Sequence, residues 1–170
     1  SNWCILESDE SDGSFIKVPP TYSIITNVDR EHMDYYKSMD KLKKLFVEFI
    51  EKVPSFGKSF ICIDDKNNNE IIKKIKIKNY YTYGLNKNSQ FQIKNIYQSR
   101  DFSEFNLAIR LAGKKQTYIK NIKIPLLGLH NIRNATGAAA VAITIGISRD
   151  IIKQGLKEFK GVQRRFNKIF

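Results

Sequence analysis

Short apolar runs alternate with helical segments over the first half of the chain, and this order constrains the fold more than any other feature. The runs are typical of buried strands and cover residues 3–6, 22–26, 60–63 and 80–83. Residues 38–53 carry an apolar stripe at helical spacing, and a shorter helix is predicted near residues 68–75. Because strands connected through helices usually run parallel, the sequence predicts an α/β fold with a mainly parallel sheet flanked by helices.

The second half of the chain shows a different pattern. Apolar and polar residues alternate over residues 90–97, 104–111 and 116–124, which predicts a small antiparallel three-stranded sheet. An alanine-rich helix over residues 132–145 and a last helix capped by Ser148 follow. We expect the small side chains of the first of these helices to pack closely on the sheet.

Length and cysteine usage limit the class of protein. A chain of 170 residues is expected to form one domain. Cys4 and Cys62 lie in apolar runs, so we expect both to be buried and reduced, as in a cytoplasmic protein. Since no apolar run approaches the ~20 residues of a membrane helix, we expect no membrane partner.

The net charge of +12 suggests a hypothesis of nucleic-acid binding. However, the excess consists mostly of scattered lysines, and we expect the densest basic run, residues 73–78, to be a solvated face. A nucleic-acid site would need a clustered basic stripe or a known reader motif. We therefore expect no nucleic-acid partner, and we keep a non-catalytic basic module as an alternative.

Candidate metal ligands follow the first two predicted strands. Glu7 comes directly after the first strand, and His32 lies in the polar segment after the second. Because ligands of open α/β sheets bind beyond the carboxyl ends of the strands, the two loops are predicted to form one metal or phosphate site. Carboxylate oxygens suit Mg²⁺. The alternatives are a solvated acidic loop and a surface or core histidine. Three further carboxylates accompany Glu7, namely Asp9, Glu10 and Asp12.

Candidate nucleotide ligands lie later in the chain. Asn131 and Asn134 are three residues apart and share one helical face, and an Asn side chain can complement an adenine edge. A helix cap at Asn131 is the alternative. The guanidinium groups of Arg164 and Arg165 suit phosphate oxygens, with a solvated basic terminus as the alternative.

Residues 56–59 contain the Gly-Lys-Ser ending of a phosphate-binding loop. The first glycine of that motif is missing, and the segment precedes a strand instead of following one. We therefore interpret it as a turn and expect the chain to have no phosphate-binding loop of its own.

Four segments together resemble the central domain of the Mur ligases. They occur in the family order over nearly the whole chain, at residues 7–15, 26–34, 128–134 and 161–166. The first two are most similar to the branch that adds L-alanine to UDP-N-acetylmuramate. The resemblance implies that residues 1–170 are a P-loop-type central domain, truncated at both ends. The N-terminal UDP-binding domain, the P-loop and the C-terminal domain would then be absent.

The resemblance implies an ATP-dependent ligase of peptidoglycan precursor synthesis, with ATP and Mg²⁺ as cofactors. The substrate carboxylate would attack the γ-phosphate, and the amine of L-alanine would then attack the acyl phosphate. UDP-N-acetylmuramate and L-alanine would be the substrates of the full-length protein, while this fragment alone would be inactive. Another Mur-type ligase with a different amino-acid acceptor is the alternative enzyme.

The resemblance also implies roles for individual residues. Glu7 and His32 would bind the Mg²⁺ that bridges the phosphate and the substrate carboxylate. Catalytic roles are implied for Glu7, His32 and Arg165. Nucleotide contacts are implied for Asn131, Asn134, His130 and Arg165.

Overall fold

The computed structural model describes residues 3–159 and 161, which form a six-stranded sheet with helices packed on it. The strands are β1 (Tyr22–Ile25), β2 (Lys58–Cys62), β3 (Tyr80–Gly84), β4 (Phe91–Gln98), β5 (Ser103–Ile109) and β6 (Thr117–Ile124). The helices are α1 (Met33–Tyr36), α2 (Met39–Glu51), α3 (Lys66–Lys74), α4 (Leu129–Thr144) and α5 (Arg149–Glu158), with a short 3-10 helix at Ser14–Lys17. The strands lie side by side in chain order.

The sheet is parallel on one side and antiparallel on the other. β1 to β4 pair in parallel, and β4 to β6 form an antiparallel meander. The predicted α/β class is confirmed, but the antiparallel strands continue the main sheet instead of forming a separate one. The two parts join where Tyr83 of β3 lies opposite Phe91 of β4 and Gly84 lies opposite Gln92.

Helices cover both faces of the parallel strands. Successive residues of a strand point to opposite faces, so the neighbours Phe60 and Ile61 of β2, both fully buried, belong to different cores. Ile61 lies in the core that contains α2, and Phe60 lies in the core that contains α4. Burial on both faces explains why the parallel strands read as continuous apolar runs.

α2 forms as the sequence predicts. The Ser38 side chain accepts a hydrogen bond from the backbone N–H of Lys41 at 3.3 Å, and Asp40 lies in the first turn. The ring of Phe15 packs against this helix, 5.0 Å from the Phe46 ring between centroids. The buried apolar residues of α2 are Leu42, Phe46, Phe49 and Ile50.

Small residues let α4 lie close to the sheet, as predicted. A Cβ at Gly137 would come within 2.9 Å of the Ile24 side chain and 3.2 Å of the Tyr83 ring. Ala139 and Ala140 are also buried. The helix therefore rests directly on the parallel strands.

The predicted first strand is wrong. Residues 3–6 are not part of the sheet, and Ile5 is 96% exposed. Cys4 is exposed as well, whereas Cys62 is buried as predicted. The Trp3 ring lies 5.9 Å from the Tyr22 ring of β1 between centroids, but the segment forms no strand pairing within the described residues. An apolar run becomes a buried strand only where a neighbouring strand and a core cover it.

The basic run at residues 73–78 is a solvated face, as expected. The lysines of residues 73–78 are all exposed. Among residues 3–159 and 161, no helix combines the length and the apolar character that crossing a membrane requires.

Candidate active site

The loop after β1 is held in place by asparagines at the start of α3. Asn67 Nδ2 donates to the carbonyl oxygen of Val28 at 2.6 Å, and Asn68 Nδ2 donates to that of Thr26 at 3.2 Å. Val28 itself is buried. These bonds fix the path of the chain from the carboxyl end of β1 towards His32.

His32 begins α1 in a left-handed backbone conformation. Its φ is 55°, and its carbonyl oxygen accepts hydrogen bonds from the backbone N–H groups of Tyr35 at 3.0 Å and Tyr36 at 3.1 Å. The turn leaves the imidazole outside the helix, with Nε2 4.0 Å from a carboxylate oxygen of Glu31. The structure therefore presents His32 at the loop surface, next to a carboxylate.

The acidic loop, residues 7–12, folds against α1. The hydroxyl of the fully buried Tyr36 donates to the carbonyl oxygen of Glu10. Burial, and secondly the charge of Glu10, raise the pKa of Tyr36 to about 12. Gly13 has φ 70°, and a Cβ there would lie 2.9 Å from the Tyr35 ring. These contacts hold the acidic loop beside the loop that carries His32.

Two carboxylates of the acidic loop are hydrogen-bonded locally. Asp9 accepts from the backbone N–H of Ser11 at 2.5 Å, and Asp12 accepts from that of Ser14 at 2.8 Å. Hydrogen bonds from Ser11 lower the pKa of Asp9, and those from Ser14 lower the pKa of Asp12. Both groups are therefore ionised at neutral pH and make the loop negative.

The structure brings His32 together with Glu10 and Glu31. One ligand atom from each residue lies within 4.8 Å of the other two. Glu10 is half-buried, while Glu31 and His32 are exposed. Two carboxylate oxygens and an imidazole nitrogen form a donor set that a divalent cation can bind.

Glu7, the predicted partner of His32, is not in this group of ligand atoms. It lines a separate cavity of about 300 Å³ on the acidic loop, where Asp9 and Asp12 are among the other lining residues. The sequence places Glu7 at the end of a strand, but the preceding residues are exposed and lie outside the sheet. Metal binding by Glu7 together with His32 stays a prediction.

The start of α4 carries three of the predicted nucleotide ligands. The helix begins three residues earlier than predicted, with Gly128 as its N-cap, so Asn131 is not the cap. Asn131 Nδ2 donates to the carbonyl oxygen of Leu127 at 2.8 Å, and Asn134 is exposed. The His130 ring folds back over Gly128, and a Cβ at that glycine would lie 2.9 Å from it. The two asparagines thus lie near the start of one helix, as expected.

Two segments were considered for phosphate binding, and the structure describes one of them. Residues 56–59 form the predicted turn and enter β2 at Lys58, and the backbone N–H of Gly57 donates to the carbonyl oxygen of Pro54 at 2.9 Å. Arg164 and Arg165 lie outside the described residues, so their roles stay predictions.

A second polar site, which the sequence patterns did not reveal, lies at the carboxyl ends of β2 and β3. The Asp64 carboxylate accepts from the backbone N–H groups of Leu85 at 2.9 Å and Asn86 at 3.0 Å, and from Arg133 Nε at 2.8 Å. These residues and Lys66 line an open cleft of about 500 Å³. A carboxylate directly after a predicted strand was the available signal, but its partners lie 21 to 69 positions away.

A family model described as the Mur ligase middle domain matches residues 2–142 of the chain. Over all 170 residues the chain is 71% identical to the UDP-N-acetylmuramate–L-alanine ligase of Pelagibacter ubique (strain HTCC1062). It spans 37% of that protein. The chain therefore covers little more than a third of the curated relatives it matches.

Two crystal structures from Thermotoga maritima have a similar fold. The UDP-N-acetylmuramate–alanine ligase matches with a TM-score of 0.75 and 24% identity over 95% of this chain and 34% of that protein. A MurF ligase in complex with ADP matches with a TM-score of 0.66 and 15% identity over 88% of this chain and 33% of that protein. At these identities the two structures support the fold.

Proposed function

This chain belongs to the Mur ligase middle-domain family, and from that premise we propose that it is the central domain of an ATP-dependent ligase. The ligase joins L-alanine to UDP-N-acetylmuramate. The observation that carries the proposal is the 71% identity, over the full chain, to a relative named for this reaction. Because the chain spans 37% of that relative, we propose that the P-loop, the UDP-binding domain and the C-terminal domain lie in the part of the full-length protein that it does not cover. We predict a cytoplasmic location.

The proposed chemistry has two steps. A carboxylate oxygen of UDP-N-acetylmuramate bonds to the γ-phosphorus of ATP as the bond to ADP breaks, giving an acyl phosphate. The amine nitrogen of L-alanine then bonds to the acyl carbon, inorganic phosphate leaves, and the nitrogen loses a proton to solvent. Because negative charge collects on the phosphoryl oxygens, such chemistry needs cations placed close to them.

A Mg²⁺ ion bound by Glu7 and His32 is our proposal for that cation. The donor chemistry of this region fits a divalent cation, because the acidic loop and the loop after β1 bring carboxylate oxygens and an imidazole nitrogen together. Glu10 and Glu31 each place one carboxylate oxygen within 4.8 Å of a ring nitrogen of His32, and Glu7 is not in that group. Glu10 and Glu31 are the alternative ligands if Glu7 does not bind the ion.

The nucleotide is proposed to bind at the start of α4. Asn131 and Asn134 would contact it, with His130 beside them, and Arg165 would lie near the ATP phosphates. Two features support this placement. The start of α4 lies at the carboxyl edge of the parallel strands, since Arg133 reaches Asp64 at the end of β2. That edge is where open α/β sheets bind their ligands.

The test uses the full-length protein that contains this chain. With ATP, Mg²⁺ and UDP-N-acetylmuramate present, phosphate release should depend on added L-alanine. Replacing L-alanine by glycine, L-serine or D-glutamate separates this ligase from a relative with another acceptor. Equal or faster release with one of those acceptors would contradict the assignment of L-alanine.

A nucleic-acid-binding module would behave differently. The net charge of +12 would then produce binding to duplex DNA that weakens steeply as salt is added. Such binding without any amino-acid-dependent phosphate release would overturn the proposed ligase.

A further inference from the structure

We propose that Asp64 and Arg133 are positioning residues. They hold the start of α4 in the orientation in which Asn131 and Asn134 bind the nucleotide. This inference rests on the proposed function, because that function makes the two asparagines nucleotide ligands. Neither Asp64 nor Arg133 needs to touch the nucleotide for this role.

Asp64 is a preformed anchor at the carboxyl edge of the sheet. Its side chain is 9% exposed, and both of its oxygens are used. Oδ1 accepts from the backbone N–H of Asn86, and Oδ2 accepts from that of Leu85 and from Arg133 Nε. Two of the three donors belong to the backbone after β3, so the position of the carboxylate does not depend on the arginine alone.

The backbone at the end of β3 lies close to this anchor. Gly84, the last residue of β3, has φ 140°, a conformation that residues with a Cβ rarely adopt. A Cβ there would lie 2.6 Å from Asp64 Oδ1. The end of β3 therefore lies directly against the carboxylate.

The start of α4 depends on contacts from outside the helix. Among the described residues, Gly128 gives the helix no side-chain cap, and the first turn contains no acidic residue. Ile132 is fully buried and fixes the depth of this turn, but apolar packing has little directional preference. The bond from Arg133 to Asp64 is directional, so it sets the rotation of the first turns about the helix axis.

Arg133 and the two asparagines point in different directions from the helix. At about 100° per residue, Asn134 lies about 100° and Asn131 about 160° around the axis from Arg133. Arg133 faces the strand ends, whereas Asn134 is exposed and can face a ligand. Asn131 is half-buried and its Nδ2 donates to the carbonyl oxygen of Leu127, which fixes the direction of its amide group. Loss of the Asp64–Arg133 bond would let the helix start rotate and would misplace both amide groups.

The experiment uses the full-length protein in the presence of Mg²⁺, at a temperature well below that at which the protein unfolds. Titration calorimetry measures the affinity for ADP, and steady-state kinetics measures the KM values. Asp64→Asn, Arg133→Leu and the double variant are compared with the wild type. Each should weaken ADP binding and raise the KM for ATP about tenfold, the double variant no more than the singles. The KM for UDP-N-acetylmuramate should not change.

Two further variants separate positioning from charge and from general damage. Arg133→Lys keeps the charge but lacks the guanidinium Nε–H, so its affinity for ADP should lie between those of the wild type and Arg133→Leu. Lys66→Met removes an exposed cation from the same cleft and should bind ADP like the wild type. Should Asp64→Asn fail to fold, the Arg133 pair and Lys66→Met still decide.

The outcomes separate this inference from the proposed function. A wild type that binds ADP and turns over, with Arg133→Leu showing unchanged affinity, would overturn the positioning role and leave the ligase intact. Additive losses in the double variant, or an equal loss in Lys66→Met, would overturn it as well. A wild type that neither binds ADP nor releases phosphate would overturn the proposed function and this inference with it.

Discussion

Two loops at the carboxyl edge of the sheet carry carboxylates, and the structure uses them in opposite ways. After β2, the Asp64 side chain is 9% exposed and accepts three hydrogen bonds. After β1, Glu31 and His32 have side chains 69% and 39% exposed, and the nearby Glu10 is half-buried. An acidic residue at a strand end is therefore not by itself a ligand site. A carboxylate whose oxygens are already occupied has a structural role, and one with free oxygens can accept a ligand.

The largest expected effect is the loss of stability when Asp64, in the loop after β2, is replaced. Asp64→Ala should lower the free energy of unfolding by about 3 kcal/mol, because it leaves Arg133 and two backbone N–H groups without their acceptor. Glu31→Ala, the matched change after β1, should alter it by less than about 0.5 kcal/mol. Urea denaturation measures both. Equal losses would mean that the two loops do not differ as described.

The next effect concerns activity in the full-length protein. His32→Ala should reduce turnover about 100-fold, roughly 2.7 kcal/mol, if it holds the cation beside the transferring phosphoryl group. Glu7→Ala and Glu10→Ala should be compared at limiting Mg²⁺, with the exposed Glu48→Ala as control. We expect Glu7→Ala to raise the Mg²⁺ requirement. If Glu10→Ala raises it instead, the ligand group seen around His32 is the metal site.

The smallest effect tests how the acidic loop is attached. Tyr36→Phe should lower the free energy of unfolding by about 1 kcal/mol at neutral pH, because it removes the hydrogen bond to the Glu10 carbonyl. The pKa of Tyr36 is raised to about 12 in the folded protein, from an ordinary 10.0. The unfolded state therefore loses its proton first, and stability falls as the pH rises from 10 towards 12.

Tyr36→Phe should remove its part of this alkaline loss. Urea denaturation of both proteins at about pH 9 and about pH 11 gives the comparison. Burial also raises the pKa of Tyr83, and that contribution is common to both proteins. If the free energy of unfolding fell by the same amount in the wild type and the variant, the pKa of Tyr36 would not be raised by its contact with the acidic loop.

Local patterns predicted most of the fold because the parallel strands and α2 are buried in ways that their own sequences record. Phe60 and Ile61 are adjacent and both fully buried, so β2 reads as apolar without help from the rest of the chain. Residues 3–6 have the same pattern and are exposed, because burial also needs a neighbour that local sequence does not specify. The start of α4 was misplaced because its cap is Gly128, which forms no side-chain cap.

The site was harder to predict than the fold. Unusual local composition led to the predictions for the loop after β1 and for the helix with Asn131 and Asn134, and their ligand roles stay predictions. It missed Asp64 and Arg133, because a hydrogen bond between residues 69 positions apart leaves no trace in a local pattern. The metal role of Glu7 and the phosphate role of Arg165 rest on resemblance and stay predictions.

The short pairing between β3 and β4 has a mechanical consequence. Tyr83 and Gly84 provide the register there, whereas β4 and β5 pair along most of their length. If force pulled the edge strands β1 and β6 apart, we expect the pairing between β3 and β4 to break first. The antiparallel strands β4 to β6 would then separate from the rest of the sheet as one unit. The Asp64 carboxylate accepts from Leu85 and Asn86, just after Gly84, so it fastens the end of β3 to the end of β2, on the parallel side of this weak pairing.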